Sequence, residues 1–168
     1  MPTLEVDNLT FDFPSHWLAS KYDDWTYYQK HFRQIVSHTK AVDVLAIDPQ
    51  NTAWLIEVKD YRRHRRSKKT PLPNEIAQKV KDSLAGMASA SFNANVSNEK
   101  ADAQALFRCY EIRVVLHLEQ PNKNTRLFPR VYDPANIQKQ LKQLVKSVDP
   151  HPKVVERQNM QNMPWTVT

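Results

Sequence analysis

An α/β domain built on a mixed sheet flanked by helices is the fold class this sequence predicts, and three patterns predict it. Two short apolar runs, residues 41–47 and 53–60, flank the turn formers Asp48, Pro49, Gln50 and Asn51, which is a strand–turn–strand signal. A later run, residues 109–118, alternates apolar and polar side chains with the period of a strand. Between and after these runs the apolar spacing turns helical, at Ile76, Val80, Leu84, Met87 or Ala88 and Phe92, and again at Ile137, Leu141, Leu144 and Val148.

The remaining elements follow in chain order. Phe11 and Phe13 alternate with Thr10 and Asp12, so residues 9–13 are expected as a short strand or an extended entry. Asp23 and Asp24 are placed to cap a helix starting near Trp25, in which Trp25, Tyr28, Phe32 and Ile35 recur as a core face. Residues 61–73 are basic and then proline-rich, and are expected as a loop. Asn74 is expected to cap a helix reaching about Ser91, with the polar residues 93–102 as a loop or frayed end. In the run 109–118, Tyr110, Ile112, Val114, Leu116 and Leu118 face one way and Glu111, Arg113 and His117 the other. One buried face and one open or helix-covered face are expected there. Asp133-Pro134 reads as a cap followed by a first-turn proline. Residues 149–168 hold three prolines and no clear period. They are expected as a C-terminal tail ending on an exposed or docked Trp165, which leaves residues 1–148 as one domain.

Composition narrows the classes. A chain of 168 residues with 40% hydrophobic and 10% aromatic content has enough material for one real core. Its single glycine, Gly86, excludes glycine-rich phosphate loops and dinucleotide fingerprints. Its single cysteine, Cys109, excludes an intrachain disulfide and any Cys-rich zinc site. The six histidines form no i, i+4 zinc pair. No stretch approaches the ~20 apolar residues that span a bilayer, and the N-terminal residues lack signal-peptide character. The expected location is therefore cytoplasmic, with no membrane partner.

Charge is concentrated. The chain carries 24 Lys and Arg against 18 Asp and Glu, and Arg62, Arg63, Arg65, Arg66, Lys68 and Lys69 account for the whole excess of +6. Such a loop offers salt-dependent, sequence-independent contacts to nucleic-acid phosphates. A solvated loop, a targeting signal or a membrane-surface patch would show the same composition.

The run before that loop carries the candidate site. A three-residue loop at residues 49–51 pairs Asp48 with Thr52 and places Asp43 directly opposite Glu57. Opposed residues have Cβ atoms about 4.5–5.5 Å apart. Two carboxylates that close repel unless a cation or proton lies between them. A hard, oxygen-liganded ion such as Mg²⁺ (or Mn²⁺) meets that need with one or two carboxylates plus waters and substrate phosphate. Lys59 shares the face of Glu57, one step further from the turn, where its ammonium can reach a phosphate oxygen. The expected chemistry is metal-assisted hydrolysis, with Asp43 and Glu57 as metal ligands and Lys59 assisting attack.

Asp43, followed after 13 intervening residues by Glu57-Val58-Lys59, resembles the PD-(D/E)XK nuclease signature of restriction endonuclease-like and Holliday-junction-resolvase-like proteins. The resemblance implies a restriction endonuclease-like αβββαβ core over residues 22–118, Mg²⁺ dependence and cleavage of DNA phosphodiesters. Val42 stands where the signature has proline, and Asp82 stands where the RecB-like branch would place tyrosine after Gln78. Related nucleases sometimes add an acid from the first helix, which makes Asp24 an accessory candidate beside its reading as a cap. Gln78, Lys79 and Lys81 open the helix after the loop, and one of them is expected to approach the site or bound DNA. Glu111 is a further conceivable ligand. The expected function is a metal-dependent nuclease that hydrolyses phosphodiester bonds, in DNA in preference to RNA, with endo- or exonucleolytic action left open. The alternative is the same fold with an idle site, serving as a nucleic-acid-binding or protein-interaction module, with a homodimer or a partner subunit left open.

Overall fold

The computed structural model describes residues 1–168. Strands β1 (Thr3–Val6) and β2 (Leu9–Asp12) form a hairpin. Its two turn residues, Asp7 and Asn8, both take positive φ, 48° and 63°, the backbone that matches the twist of paired strands. The last strand, β8 (Thr166–Val167), returns to pair with β2 and completes a small three-stranded sheet.

The main sheet has five strands in the order β3 (Leu18–Lys21), β4 (Val44–Ile47), β5 (Thr52–Asp60), β6 (Glu111–Glu119) and β7 (Lys153–Val155). The first three are antiparallel and the last three parallel, so the sheet is mixed. Four helices complete the chain: α1 (Thr26–Lys30), α2 (Leu72–Asn93), α3 (Ser97–Leu106) and α4 (Pro134–Val145). Asp133 caps α4, accepting 3.1 Å from Ala135 N, with Pro134 in the first turn as its sequence foretells.

Two cores lie on opposite faces of the main sheet. On one face Leu45, Leu55 and Leu116 pack with Ile76, Val80 and Met87 of α2 and Ile137 and Leu141 of α4. On the other, Val44, Ile56, Val58 and Val115 pack with Phe11, Phe13 and Trp165 beneath the small sheet. Alternation along a strand sends successive side chains to opposite faces. Strands β4 and β5 are apolar on both faces because both faces are covered.

Four expectations are corrected by this arrangement. The helix near Trp25 is cut short: α1 has five residues between two 3₁₀ turns, Tyr22–Asp24 and Phe32–Gln34. Trp25 and Tyr28 are buried, but Ile35 is exposed, because the chain must turn toward β4. Residues 93–102 are not simply a loop, since Ser97 opens α3. The second face of β6 is not open: His117 is fully buried, edge-on to Phe11 at 5.2 Å. Residues 149–168 do not trail, because β7 extends the sheet beside β6 and Trp165 is buried among Phe13, Trp17 and Trp54. Three strands precede α1; from there the order is α1, the β4–β5 hairpin, α2 with α3 added, β6 and α4, without the third strand that the expected αβββαβ core places before its second helix. The molecule is an α/β domain with a mixed sheet and helices packed on it.

Candidate functional site

Register makes the site. Val44 pairs with Ile56 and Ile47 with Ala53, and Asp48 N donates 3.1 Å to Thr52 O around the three-residue loop. One further step places Asp43 across from Glu57, as the turn residues predict. Asp43 is fixed from both sides: its carbonyl accepts from Tyr22 N at 2.9 Å and its Oδ2 from Val58 N at 2.6 Å.

Glu57 is 1% exposed at its side chain. Its Oε1 accepts from the ammonium of Lys59 and from Lys79 Nζ at 2.5 Å, while its Oε2 is buried without a partner. Lys79 Nζ also lies 4.0 Å from Asp43 Oδ1. The structure therefore brings Asp43, Glu57 and Lys59 together and adds Lys79. The sequence signal for Lys79 is its position: three residues after Ile76 and four before Ser83, on the stripe of α2 that faces the sheet.

Burial sets the electrostatics. It pushes the Asp43 carboxyl up to about 7; the neighbouring Glu57 adds to the rise, and Lys79, Val58 N–H and Lys59 oppose it. For Lys59 burial acts downward, but the charge and hydrogen bond of Glu57, with Asp43 and Glu75 behind them, hold its ammonium above the usual lysine range. Asp23 is raised to about 6, first by burial and then by Asp24, and its Oδ1 is buried without a partner.

The accessory candidates fall elsewhere. Asp24 is exposed and pairs with Lys21 at 2.9 Å; no side-chain hydrogen bond caps α1, so it neither caps nor reaches the cluster. Its neighbour Asp23 is the acid that feels the charges of Lys79 and Glu57. Gln78 Nε2 donates 3.1 Å to His38 O and makes no hydrogen bond to Asp43, Glu57 or Lys59. Lys81 pairs with Asp82 at 3.4 Å. Glu111 sits at the other end of β6, opposite Thr52, and pairs with Arg113 at 3.0 Å.

The basic loop begins where β5 ends, and half of its cations are already engaged. Arg62 chelates Asp60 through Nε at 2.8 Å and Nη2 at 2.6 Å. Glu75, buried at the start of α2, pairs with Arg66 and with Lys68 at 2.8 Å, and Lys59 lies 3.9 Å away. Burial opposes ionisation of Glu75, but the hydrogen bonds from Lys68 and Arg66 prevail and lower it to about 2. Arg63, Arg65 and Lys69 are exposed and pair with no carboxylate. Arg65 Nη2 donates to the carbonyls of Arg126 and Leu127 at 3.0 Å each, which docks the basic loop onto the loop after β6.

No three His, Cys, Asp or Glu side chains gather into a metal-binding group. Mg²⁺ can be held by as few as one or two carboxylates plus waters. Asp43 Oδ1 lies 4.0 Å from Lys79 Nζ, and Glu57 Oε2 is the buried carboxylate oxygen that no protein donor uses.

The chain matches no protein-family model, and no solved structure matches it significantly. Among curated proteins it is similar to a cysteine--tRNA ligase of Neisseria meningitidis, with 31% identity over an alignment of 209 positions that takes in the whole chain and 30% of the ligase. The chain thus spans under a third of that relative's length. This likeness overturns the nuclease resemblance. With it go the metal-dependent nuclease function, the hydrolase class and the preference for DNA expected from Asp43, Glu57 and Lys59. The reason is the size of the two signals. Three residues placed by one hairpin recur in sheets of unrelated chemistry, whereas the likeness to the ligase extends along every element described above. No helix is long and apolar enough to cross a membrane.

Proposed function

We propose that this chain is a tRNA-binding domain that lays its basic loop along the RNA backbone. The observation that carries the reading is the full-length likeness to part of a cysteine--tRNA ligase, whose name supplies the ligand class. Structure adds support from an independent direction. Arg63, Arg65 and Lys69 are exposed and free of carboxylates, and Arg65 braces their loop against its neighbour. Cations held in place but unneutralised suit phosphate contact. Binding is favoured over aminoacylation because the chain, with one glycine, has no loop of the kind that cradles nucleotide phosphates.

Within this reading Asp43 and Glu57 are the pair that would hold a divalent cation, Mg²⁺ or Mn²⁺. The ion would supply positive charge toward an RNA phosphate. Lys59 and Lys79 supply such charge in its absence.

The deciding experiment is filter binding of full-length tRNA and of a DNA duplex of similar charge across a salt series. The expected result is tighter binding of tRNA. Replacing Arg63, Arg65 and Lys69 with Ala should weaken it and reduce the salt slope by about 2, at ~0.7 per lost phosphate contact. Equal binding of the two nucleic acids, or none of tRNA, would defeat the proposal.

A further inference from the structure

We infer that the cavity lined by Tyr61 and Tyr132 receives one unstacked base of a single-stranded RNA segment, a reading that rests on the RNA-binding proposal above and names the feature recognised. The cavity opens beyond Asp60 and Glu119, where the parallel strands β5 and β6 end side by side. The carboxyl ends of parallel strands are where open α/β sheets place their ligands.

Its walls suit a flat heterocycle. The Tyr61 and Tyr132 rings pack against each other, 5.8 Å between centroids and tilted by 38°, and so present one aromatic wall rather than a slot. Val131, 63% exposed, forms the rim with Pro129. The volume is about 100 Å³, the share of roughly three liquid waters at ~30 Å³ each and well below the ~300 Å³ at which drug-sized pockets begin. One ring system fits that space, and a peptide segment or a lipid chain does not.

The polar groups are arranged to hold the walls and leave the mouth charged. Gln120 spends its amide on the backbone of Tyr132, donating 2.9 Å to its carbonyl and accepting 3.0 Å from its N–H. That pair fixes the Tyr132 backbone from which the ring projects. Arg66 is fixed likewise, by Glu75, by Thr70 O at 2.6 Å and by the Tyr61 hydroxyl at 3.3 Å. The Tyr132 hydroxyl makes no hydrogen bond within the protein and is free to meet a base edge. Arg65 lines the cavity and uses only Nη2 for the neighbouring carbonyls, which leaves its other donors without a protein acceptor. A cationic track beside aromatic faces is how single strands are held, because every base has a stackable face. An acidic protein partner would use the cations and gain nothing from the tyrosines.

The test uses the full chain and fluorescence anisotropy with a labelled single-stranded RNA 12-mer, its abasic counterpart of equal charge, and tRNA. The base-bearing strand should bind about tenfold more tightly than the abasic one. Tyr132→Leu keeps apolar volume and removes the ring; it should erase that preference and leave the salt slope unchanged. Equal affinity of the wild-type protein for the two oligomers, with tRNA still bound, would overturn the pocket and leave the RNA-binding reading standing. A preference that survives Tyr132→Leu would also overturn it. Absence of any RNA binding, tRNA included, would overturn both.

Discussion

Lys79 reaches Glu57 across 22 residues of sequence, its Nζ 2.5 Å from Oε1, and so ties α2 to the charged end of the central hairpin. The side chains are 13% and 1% exposed. Removing one partner of a buried ion pair leaves an uncompensated charge and typically costs about 3–5 kcal/mol. Lys59 still faces Glu57 after such a change, so Lys79→Met should cost about 2–3 kcal/mol in urea unfolding. The double variant Lys79→Met with Glu57→Leu should recover none of that loss, since it deprives Lys59 of its own partner. A single variant within 0.5 kcal/mol of wild type, roughly the scatter of surface substitutions, would show that the pair contributes no net stability.

Acid–base behaviour divides into two windows of opposite sign. Asp43 titrates near 7 in the folded chain against about 3.9 unfolded. Below pH ~4 it is protonated in both states and contributes nothing. As pH rises from about 4 to 7 the unfolded chain gives up this proton first, so stability is lost through that window and the loss is complete above it. Asp23, near 6, acts in the same direction over a narrower range. Glu75 is lowered to about 2, so its contribution is fully present above ~4.5 and is lost as pH falls from there. Asp43→Asn should therefore flatten the melting-temperature profile between pH 5 and 7 and stabilise the protein at pH 7.5 by about 2 kcal/mol, allowing for water at the site's rim. Parallel wild-type and variant profiles would show that burial does not penalise this carboxylate.

Sequence carried the hairpin far because its register is a local matter. Asp48, Pro49, Gln50 and Asn51 set the loop length, and Asp43 opposite Glu57 followed by counting. The α4 cap was equally local. Lys79 in the cluster was not specified in the same way, because its place depends on how α2 crosses the sheet. Strand β7 was missed since Lys153–Val155 acquires its conformation from pairing with β6, not from its own pattern. Helix α3 was missed because it buries little beyond Ala103 and Leu106. The chemistry was misread for another reason. Acids and lysine at one sheet end are compatible with several ligands, and the geometry that gathers them does not name one.

Gly86 is the chain's sole glycine, and its helical position needs no positive φ. What it provides is space. A Cβ there would stand 2.1 Å from Tyr22 Oη and 2.9 Å from Phe32 Cδ1. Tyr22 is 1% exposed and wedged between Trp25 and Tyr28, at centroid distances of 5.1 and 5.4 Å, so its ring has little freedom to move. Alanine gains about 1 kcal/mol in helix propensity over glycine, but overpacking of this kind costs about 1–3 kcal/mol and more when backbone must shift. Gly86→Ala should therefore lower the melting temperature, and Gly86→Ala with Tyr22→Phe, which removes the clashing oxygen, should regain part of it. An increase in the single variant would mean that the 3₁₀ turns carrying Tyr22 and Phe32 yield freely.

Glu75 controls how many cations the basic loop has to offer. One buried carboxylate holds Arg66 and Lys68 and stands 3.9 Å from Lys59. Glu75→Gln keeps the shape and removes the charge, leaving Arg66 without its carboxylate partner while Lys59 keeps Glu57. Stability should fall by about 2–3 kcal/mol at pH 7 and change little at pH 2.5, where the wild-type carboxylate is itself partly protonated. In the same variant Arg66 and Lys68 become available to phosphate. The salt dependence of tRNA binding should therefore steepen by about 1, at ~0.7 for each added contact, even as the fold weakens. Stability and salt slope thus move in opposite senses through one substitution. A slope that drops together with stability would show that the carboxylate orders the loop for RNA rather than withholding cations from it.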